Sequence, residues 1–453
     1  MNSKRLVVIG GGPAGHDAAT YAARFGAEVT LIERDIVGGS AHLRDCVPSK
    51  SMIATGGALS FARRLDGMGL ANVETGIDAG QLRERISGIE ARLESSVTQL
   101  LNSQGVNIVR GTGRLTGSHT AVADTEDGEV EFEADAFVLS TGSRPRIPDW
   151  APIDGERILT TRDAYPPEEI PEHLIVVGSG VTGVEFVHMF TSFGSDVTLI
   201  VSRQQVLPGK DPEVAAVLES DFLNRGVNLL KGARATNIEQ ANGGVIVTCN
   251  DGRVVHGSHA LLAIGSIPNS DDLGLENVGI DTDGGYVAID ADCRSSVPHI
   301  FAAGDLSGKL PLSSVASMQG RKIAETIMGR ATHGSNQVDY DKAASAIFTE
   351  PEIADVGLAE ADAFAEGRKI RVTKVPFATS AKALINDDSR GFIKILSDPA
   401  TGEVLGGSIV GRHAAELISV ISIAVTASLT VRDIYDSLLV HPTLAELITD
   451  AAE

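Results

Sequence analysis

Two segments of this chain have the same order of elements: a short apolar strand, a glycine-rich turn, a helix and a second strand. In the first segment, residues 6–9 run into G-G-G-P-A-G at 10–15. In the second, residues 174–177 run into G-S-G-V-T-G at 178–183. A G-x-G-x-x-G turn between a strand and a helix is typical of a dinucleotide-binding βαβ unit. The chain is therefore predicted to contain two nucleotide-binding units, each with its own dinucleotide.

The glycines of each turn have separate physical roles. The first allows the tight turn, the second lets the diphosphate approach the backbone, and the third lets the helix pack on the strand. The helix N-terminus adds positive potential for the phosphates. The glycines concerned are Gly10, Gly12 and Gly15 in the first turn and Gly178, Gly180 and Gly183 in the second. Glu33 ends the second strand of the first unit, where its carboxylate can bind the ribose hydroxyls of an adenosine.

The second unit differs from the first at the corresponding strand end. Val201 stands there, so the ribose diol of NAD loses an acceptor and a 2′-phosphate loses a repulsive charge. Ser202 and Arg203 follow at once, and a hydroxyl with a guanidinium can bind a phosphate. We therefore expect the second unit to accept NADPH without excluding NADH. The alternative is that Arg203 is only a solvated loop residue.

Charge and hydropathy exclude several classes of function. The formal net charge is -22, and a surface this acidic repels phosphate backbones and anionic lipid, so we expect no nucleic-acid partner. The longest apolar stretch, residues 417–429, is too short to span a bilayer, and its spacing predicts a buried or interface helix instead. The apolar run at 6–9 is too short for a signal peptide, which favours a cytoplasmic protein without stable membrane insertion.

The loop at 38–50 reads G-G-S-A-H-L-R-D-C-V-P-S-K. It resembles the active-site loop of the pyridine nucleotide-disulfide oxidoreductases, in which G-G-x-C-x4-C-x-P-S-K places a redox disulfide against a flavin. Here Ala41 stands at the position of the first cysteine, and only Cys46 is present. The other cysteines, Cys249 and Cys293, are scattered, so no disulfide framework and no metal site is predicted.

Together with the two glycine-rich turns and the C-terminal H-P-T-L-A-E motif at 441–446, this loop makes the whole chain similar to lipoamide dehydrogenases and glutathione reductases. The branch of lipoamide dehydrogenase-like NAD(P)H:quinone reductases also carries alanine in the loop. The resemblance implies an α/β fold with two Rossmann-like domains for FAD and NAD(P), and an α+β C-terminal dimerisation domain. The implied ranges are 1–152 and 277–338 for FAD, 153–276 for NAD(P) and 339–453 for dimerisation.

The resemblance also implies roles for individual residues. The family's FAD and NAD(P) sites match Gly113, Thr141, Gly142 and Gly265. They also match Asp305, which in the family binds the ribityl chain of the flavin. Lys50 and Glu185 match an ion pair beside the flavin N5. His441 and Glu446 match a pair that one subunit of a homodimer supplies to the active site of the other. With no thiol at residue 41 to deprotonate, His441 either protonates a reduced quinone or remains as packing at the dimer interface.

Cys46 matches the sulfur next to the flavin ring. Because Pro48 favours the first turn of a helix, we expect the thiol at a helix N-terminus, where the dipole and Lys50 favour thiolate. The alternative is a buried, inert cysteine.

Thiol-disulfide exchange needs an attacking thiolate and a second sulfur, so this loop cannot run it. We therefore expect an enzyme that passes hydride from NAD(P)H to FAD and electrons onward to a small acceptor. The resemblance names that acceptor as a quinone. The alternatives are a soluble pyridine nucleotide transhydrogenase, a degenerate dihydrolipoamide dehydrogenase-like protein, and a catalytically silent FAD-binding subunit.

Overall fold

The computed structural model describes residues 3–70, 75–165, 167–241, 243–330 and 337–453. The chain forms two compact units, and each unit is assembled from three separate stretches of sequence. The first unit comprises Met1–Pro48, Arg83–Arg146 and Gly265–Tyr340. The second comprises Ser49–Leu82, Ile147–Ile264 and Asp341–Glu453.

The first unit is built on a parallel five-stranded sheet. Its strands, in spatial order, are Ile300–Ala302, Ala136–Leu139, Arg5–Ile9, Glu28–Glu33 and Asn107–Arg110. In a three-stranded antiparallel sheet, Thr120–Thr125 lies between Thr112–Gly117 and Gly128–Glu133. Two shorter antiparallel pairs join Ser143–Pro145 with Ser266–Pro268 and Thr282–Asp283 with Tyr286–Val287. The helices of this unit are Pro13–Arg24, Ser313–Ile327 and most of Ala79–Ser103.

Alternate residues of the first strand enter two different cores, as the period of two in a strand requires. Leu6 and Val8 pack in the cluster that contains the helix residues Ala14 and Ile323. Val7 and Ile9 pack in a second cluster with residues of the three-stranded antiparallel sheet. A strand buried on both faces explains why residues 6–9 form a continuous apolar run rather than an alternating one.

The second unit contains a five-stranded parallel sheet and two antiparallel sheets, of three and five strands. The parallel strands, in order, are Asn228–Lys231, Asp196–Val201, His173–Val177, His259–Leu262 and Ile158–Thr160. The three-stranded antiparallel sheet at Ala235–Ala241, Gly244–Cys249 and Val254–Gly257 shares a core with it. The five-stranded antiparallel sheet has the order Ser345–Ile347, Glu352–Gly357, Val404–Gly411, Phe392–Ser397 and Arg371–Pro376.

The helices of the second unit follow the same division. Val181–Phe193 and Pro212–Asn224 accompany the parallel sheet, and Ala414–Thr426 covers the antiparallel one. Shorter helices lie at Glu360–Ala365, Ala381–Ile385, Val431–Tyr435 and Glu446–Ala452, and Val47–Arg63 begins this unit. The predicted α/β fold with two parallel sheets and an α+β C-terminal part is thus confirmed. The domain boundaries proposed above stay predictions.

The helix predicted from spacing at 417–429 is present. A second amphipathic helix, Ala79–Ser103, buries Leu82 and Ile86, while Leu100 is exposed. The apolar stretch at 417–429 overlaps Ala414–Thr426, which buries Ile421 and Val425. In the part of the chain that the structure describes, no helix is both long enough and apolar enough to cross a bilayer.

The helices Pro13–Arg24 and Ser313–Ile327 touch through Gly320. A Cβ atom at Gly320 would lie 2.2 Å from the carbonyl oxygen of Ala14 and 3.0 Å from the nitrogen of Ala18. Gly88, in the middle of Ala79–Ser103, has nothing within 4 Å of the same position. One helical glycine is therefore required by packing, and the other is not.

Gly320→Ala should lower the free energy of unfolding by about 1–3 kcal/mol, because the added methyl group overpacks the helix contact. The matched variant Gly88→Ala should raise it by about 0.4–1 kcal/mol, because alanine reduces the entropy of the unfolded chain. Thermal unfolding followed by circular dichroism measures both. Equal unfolding midpoints for the two variants would contradict this account of the helix contact.

Candidate functional site

The two glycine-rich turns have nearly identical backbone geometry. Gly10 and Gly178 have φ angles of +101° and +110°, which only glycine adopts without strain. A Cβ atom on the third glycine of either turn, Gly15 or Gly183, would lie 1.9 Å from the carbonyl oxygen of the first glycine. In both cases the first turn of the helix therefore packs directly on the backbone of the glycine-rich turn.

The middle glycines leave space where a diphosphate would approach. A Cβ atom at Gly180 would have no neighbour within 4 Å, and one at Gly12 would meet only the Cα of Gly39 at 3.9 Å. The helices Pro13–Arg24 and Val181–Phe193 start directly after these glycines. Open backbone at a helix N-terminus suits an anionic diphosphate, so both turns fit a dinucleotide.

Glu33 lies at the first turn, as its place at the strand end predicts. It is 8% exposed, and its Oε2 accepts a hydrogen bond from the Gly11 amide at 2.6 Å. Its Oε1 accepts one from the Asp35 amide at 2.7 Å. These bonds hold the carboxylate beside the turn, where an adenosine ribose would lie.

The predicted FAD residues of the first unit gather around the turn that carries Asp305. Ser143 donates a hydrogen bond from its Oγ to Oδ2 of Asp305 at 2.6 Å. Thr141 donates from Oγ1 to the Asn269 carbonyl oxygen, and the Asn269 amide donates to the Gly142 carbonyl oxygen. These bonds link the strand Ser143–Pro145 to the segment that follows the strand Ser266–Pro268, and Ser143 connects it to the Asp305 carboxylate.

Gly113 and Gly265 are glycines for different reasons. A Cβ atom at Gly113 would lie 2.9 Å from Cγ2 of Ile9, so packing on the parallel sheet requires glycine there. Gly265 has a φ of +93°, and its carbonyl oxygen accepts a hydrogen bond from the Arg146 amide. Backbone conformation therefore explains Gly265.

The active-site loop contains a π-helical segment, Ala41–Cys46, that continues directly into the helix Val47–Arg63. Cys46 is therefore the last residue of the π-helical segment. The expectation that its thiol lies at a helix N-terminus is wrong, because the wider turns start five residues earlier. None of the three cysteines forms a disulfide. Burial lowers the pKa of His42, the neighbour of Ala41, so its ring is neutral at pH 7.

Lys50 and Glu185 form the ion pair that the resemblance implies. Nζ of Lys50 lies 2.8 Å from Oε2 of Glu185, whose side chain is 5% exposed. The second oxygen, Oε1, accepts a hydrogen bond from the Phe348 amide at 3.0 Å. The ring of Phe348 lies 4.9 Å from Lys50 Nζ, close enough for a cation–π contact. Both oxygens of the buried carboxylate thus have partners, which such a charge requires.

One turn after Glu185, His188 is buried in the same helix. Its Nδ1 accepts a hydrogen bond from the Arg225 guanidinium at 3.1 Å. Burial lowers the pKa of His188 to about 3, and the Arg225 charge acts in the same direction. His188 is therefore neutral at physiological pH and serves as a hydrogen-bond acceptor rather than a proton donor.

The strand Asp196–Val201 ends where the second dinucleotide would place its adenosine ribose. Val201 is buried, whereas Ser202 and Arg203 are exposed. The Arg203 carbonyl oxygen accepts a hydrogen bond from the Gly232 amide, which fixes the backbone. Among the described residues, no carboxylate pairs with the Arg203 guanidinium. This arrangement suits a 2′-phosphate.

His441 and Glu446 lie together near the C-terminus. Nδ1 of His441 is 2.6 Å from Oε1 of Glu446, and the Thr443 amide donates to Oε2 at 2.7 Å. The hydrogen bonds from Thr443 and His441 hold the pKa of Glu446 below its usual value. The imidazole is 73% exposed, and Leu438 and Val440 before it are exposed as well.

Comparison with known proteins bears on the whole chain. Residues 4–320 match the model of the pyridine nucleotide-disulphide oxidoreductases, and residues 343–452 match the dimerisation domain of the same family. The chain belongs to this family. Its members use FAD and NAD(P)H, so the two cofactors expected from the glycine-rich turns are confirmed.

Two relatives that match over nearly their full length have different names. A protein of Mycobacterium tuberculosis named NAD(P)H dehydrogenase (quinone) is 42% identical over 99% of this chain and 93% of its own length. A dihydrolipoyl dehydrogenase of Bacillus subtilis is 33% identical over 99% of this chain and 95% of its own length. The crystal structure of LpdA from Mycobacterium tuberculosis superposes with a TM-score of 0.94, at 42% identity over 99% of each chain.

A more distant structure supports the fold alone. The HOCl-induced flavoprotein disulfide reductase RclA from Escherichia coli superposes with a TM-score of 0.87 at 24% identity, covering 99% of each chain.

The sequence did not indicate three groups that support the predicted residues. Ser143 bonds to Asp305, and the S-T-G-S-R-P run could have drawn attention to it. Phe348 supports Glu185 through its backbone amide, which leaves no side-chain signal. Asn269 bonds to Thr141 across a sequence separation of 128 residues, which no local pattern can show.

Arg203→Ala should weaken NADPH much more than NADH, because a charge-assisted phosphate contact contributes about 1.5–3 kcal/mol. The kcat/KM for NADPH divided by that for NADH should therefore fall by roughly tenfold or more. Arg253→Ala is the matched control, since Arg253 is an exposed arginine already paired with Asp251. Equal losses for NADPH and NADH in Arg203→Ala would show that Arg203 contacts no phosphate.

Proposed function

We propose that this protein is an FAD-dependent oxidoreductase that oxidises NAD(P)H and reduces a quinone or a similar small acceptor. The observation that carries the proposal is Ala41, which leaves Cys46 as the only thiol of the active-site loop. The name of the Mycobacterium tuberculosis relative, NAD(P)H dehydrogenase (quinone), supports the acceptor class.

Because the loop has a single thiol, it cannot carry electrons to a substrate by thiol-disulfide exchange, as disulfide reductases do. Cys46 could attack a disulfide, but no second sulfur in the loop could resolve the mixed disulfide. Cys249 and Cys293 are both buried. Bound FAD supplies the two-electron chemistry that links NAD(P)H oxidation to reduction of the acceptor.

Lys50 and Glu185 are the residues proposed to act beside the flavin. The Glu185 carboxylate, fixed by the Phe348 amide, holds the Lys50 ammonium in one position. A positioned positive charge stabilises negative charge that develops nearby during electron transfer, and it needs no reorganisation at that moment. The same pair argues against a catalytically silent FAD-binding protein.

We further propose a homodimer in which His441 and Glu446 complete the active site of the partner. The dimerisation-domain match covers both residues. Leu438 is 100% exposed, and an exposed apolar segment of this kind is typical of a protein interface. Glu446 orients the imidazole through Nδ1, which leaves Nε2 to carry a proton to or from a bound acceptor.

NADPH oxidation should be rapid with menadione or benzoquinones and negligible with lipoamide or oxidised glutathione, because no thiol relay leads from this loop to a disulfide. Steady-state rates with each acceptor provide the measurement. A parallel assay with an NAD analogue as the only acceptor tests the transhydrogenase alternative. If lipoamide were reduced as fast as menadione, another cysteine would have to supply the second sulfur and the proposal would fail.

A further inference from the structure

A buried glutamine lies beneath the turn that carries Asp305. Gln319, on the helix Ser313–Ile327, is 1% exposed. Its Oε1 accepts a hydrogen bond from the Gly304 amide at 2.7 Å, and its Nε2 donates to the Tyr340 hydroxyl at 2.9 Å. A backbone N–H can only donate, so the Gly304 contact fixes which end of the side-chain amide is oxygen. The orientation of Gln319 is therefore determined by its partners.

The hydrogen bonds continue in one direction beyond Gln319. Because the Tyr340 hydroxyl receives a hydrogen from the amide, its own hydrogen is free to point to the Cys293 thiol, with which it is bonded. Burial raises the pKa of Tyr340 to about 12 and that of Cys293 to about 11. Both groups stay protonated at neutral pH, so the network is neutral and keeps its direction.

Side chains fix both polar groups of the Gly304 backbone. The Ser307 hydroxyl donates to the Gly304 carbonyl oxygen at 2.8 Å, while Gln319 holds the amide. Gly304 has a φ of +67°, in the left-handed region that glycine adopts without steric cost. The next residue is Asp305.

The Asp305 carboxylate is held at one oxygen only. Oδ2 accepts the hydrogen bond from Ser143 at 2.6 Å. Over the described ranges of the chain, no donor reaches Oδ1. Gln319 thus fixes the residue before Asp305, and Ser143 fixes one oxygen of the Asp305 side chain.

We propose that Gln319 is a positioning residue for FAD: it holds the Gly304 amide so that Asp305 presents Oδ1 to the ribityl hydroxyls. Tyr340 holds Gln319 in the orientation this requires, and Cys293 in turn bonds to Tyr340. The inference rests on the proposal that Asp305 binds FAD. It gives a role to Cys293, which the electron-transfer chemistry leaves unused.

The affinity of the apoprotein for FAD tests the role without NADPH or an acceptor. Gln319→Met keeps the shape of the side chain but leaves the buried Gly304 amide without its acceptor, so FAD should dissociate roughly tenfold more readily or worse. Gln319→Glu keeps an acceptor for Gly304 and should bind FAD within about threefold of wild type. Tyr340→Phe removes only the outer bond and should fall between the two.

Ile323→Val is the matched control on the same helix, because Ile323 is fully buried in the core and belongs to none of these bonds. It should lower the thermal midpoint without changing FAD affinity. If Gln319→Met did the same, Gln319 would be only structural and the proposal would be overturned. If Asp305→Ala bound FAD as tightly as the wild type, the premise that Asp305 binds FAD would fail. This result would not depend on which acceptor the enzyme reduces.

Discussion

The close contact between glycine and carbonyl oxygen in the two dinucleotide turns constrains much of this fold. In each turn the third glycine packs so closely against the carbonyl oxygen of the first that a Cβ atom there would clash with it. This contact sets where each helix begins relative to the strand before it. The helices Pro13–Arg24 and Val181–Phe193 begin directly after the open middle glycine of each turn. Two such turns commit the chain to two dinucleotides before any other residue is considered.

The second constraint is electrostatic. Glu185 is buried, and a buried carboxylate is costly unless both oxygens have partners. Lys50 and the Phe348 amide supply them, from two segments far apart in the sequence. The ion pair is the feature on which we base the proposed role of Lys50 and Glu185 beside the flavin.

Local patterns predicted most of the fold and part of the site. Glycine spacing identified both turns, and apolar runs identified the strands around them, because each depends on only a few neighbouring residues. The π-helical segment at Ala41–Cys46 was not predicted, since its hydrogen-bond register has no simple residue signature. Gln319 was not predicted either, because its partners Gly304 and Tyr340 are 15 and 21 residues away.

The central claim is that electrons leave the flavin without passing through a disulfide, and anaerobic titration with NADPH tests it most directly. The account predicts that the oxidised protein takes up about two electrons per FAD and that Cys46→Ser takes up the same number, because no loop disulfide exists to be reduced. The thiol count should not change during the titration. The account would be contradicted if the wild type took up about four electrons per FAD and gained two thiols, while Cys46→Ser took up two electrons and gained none.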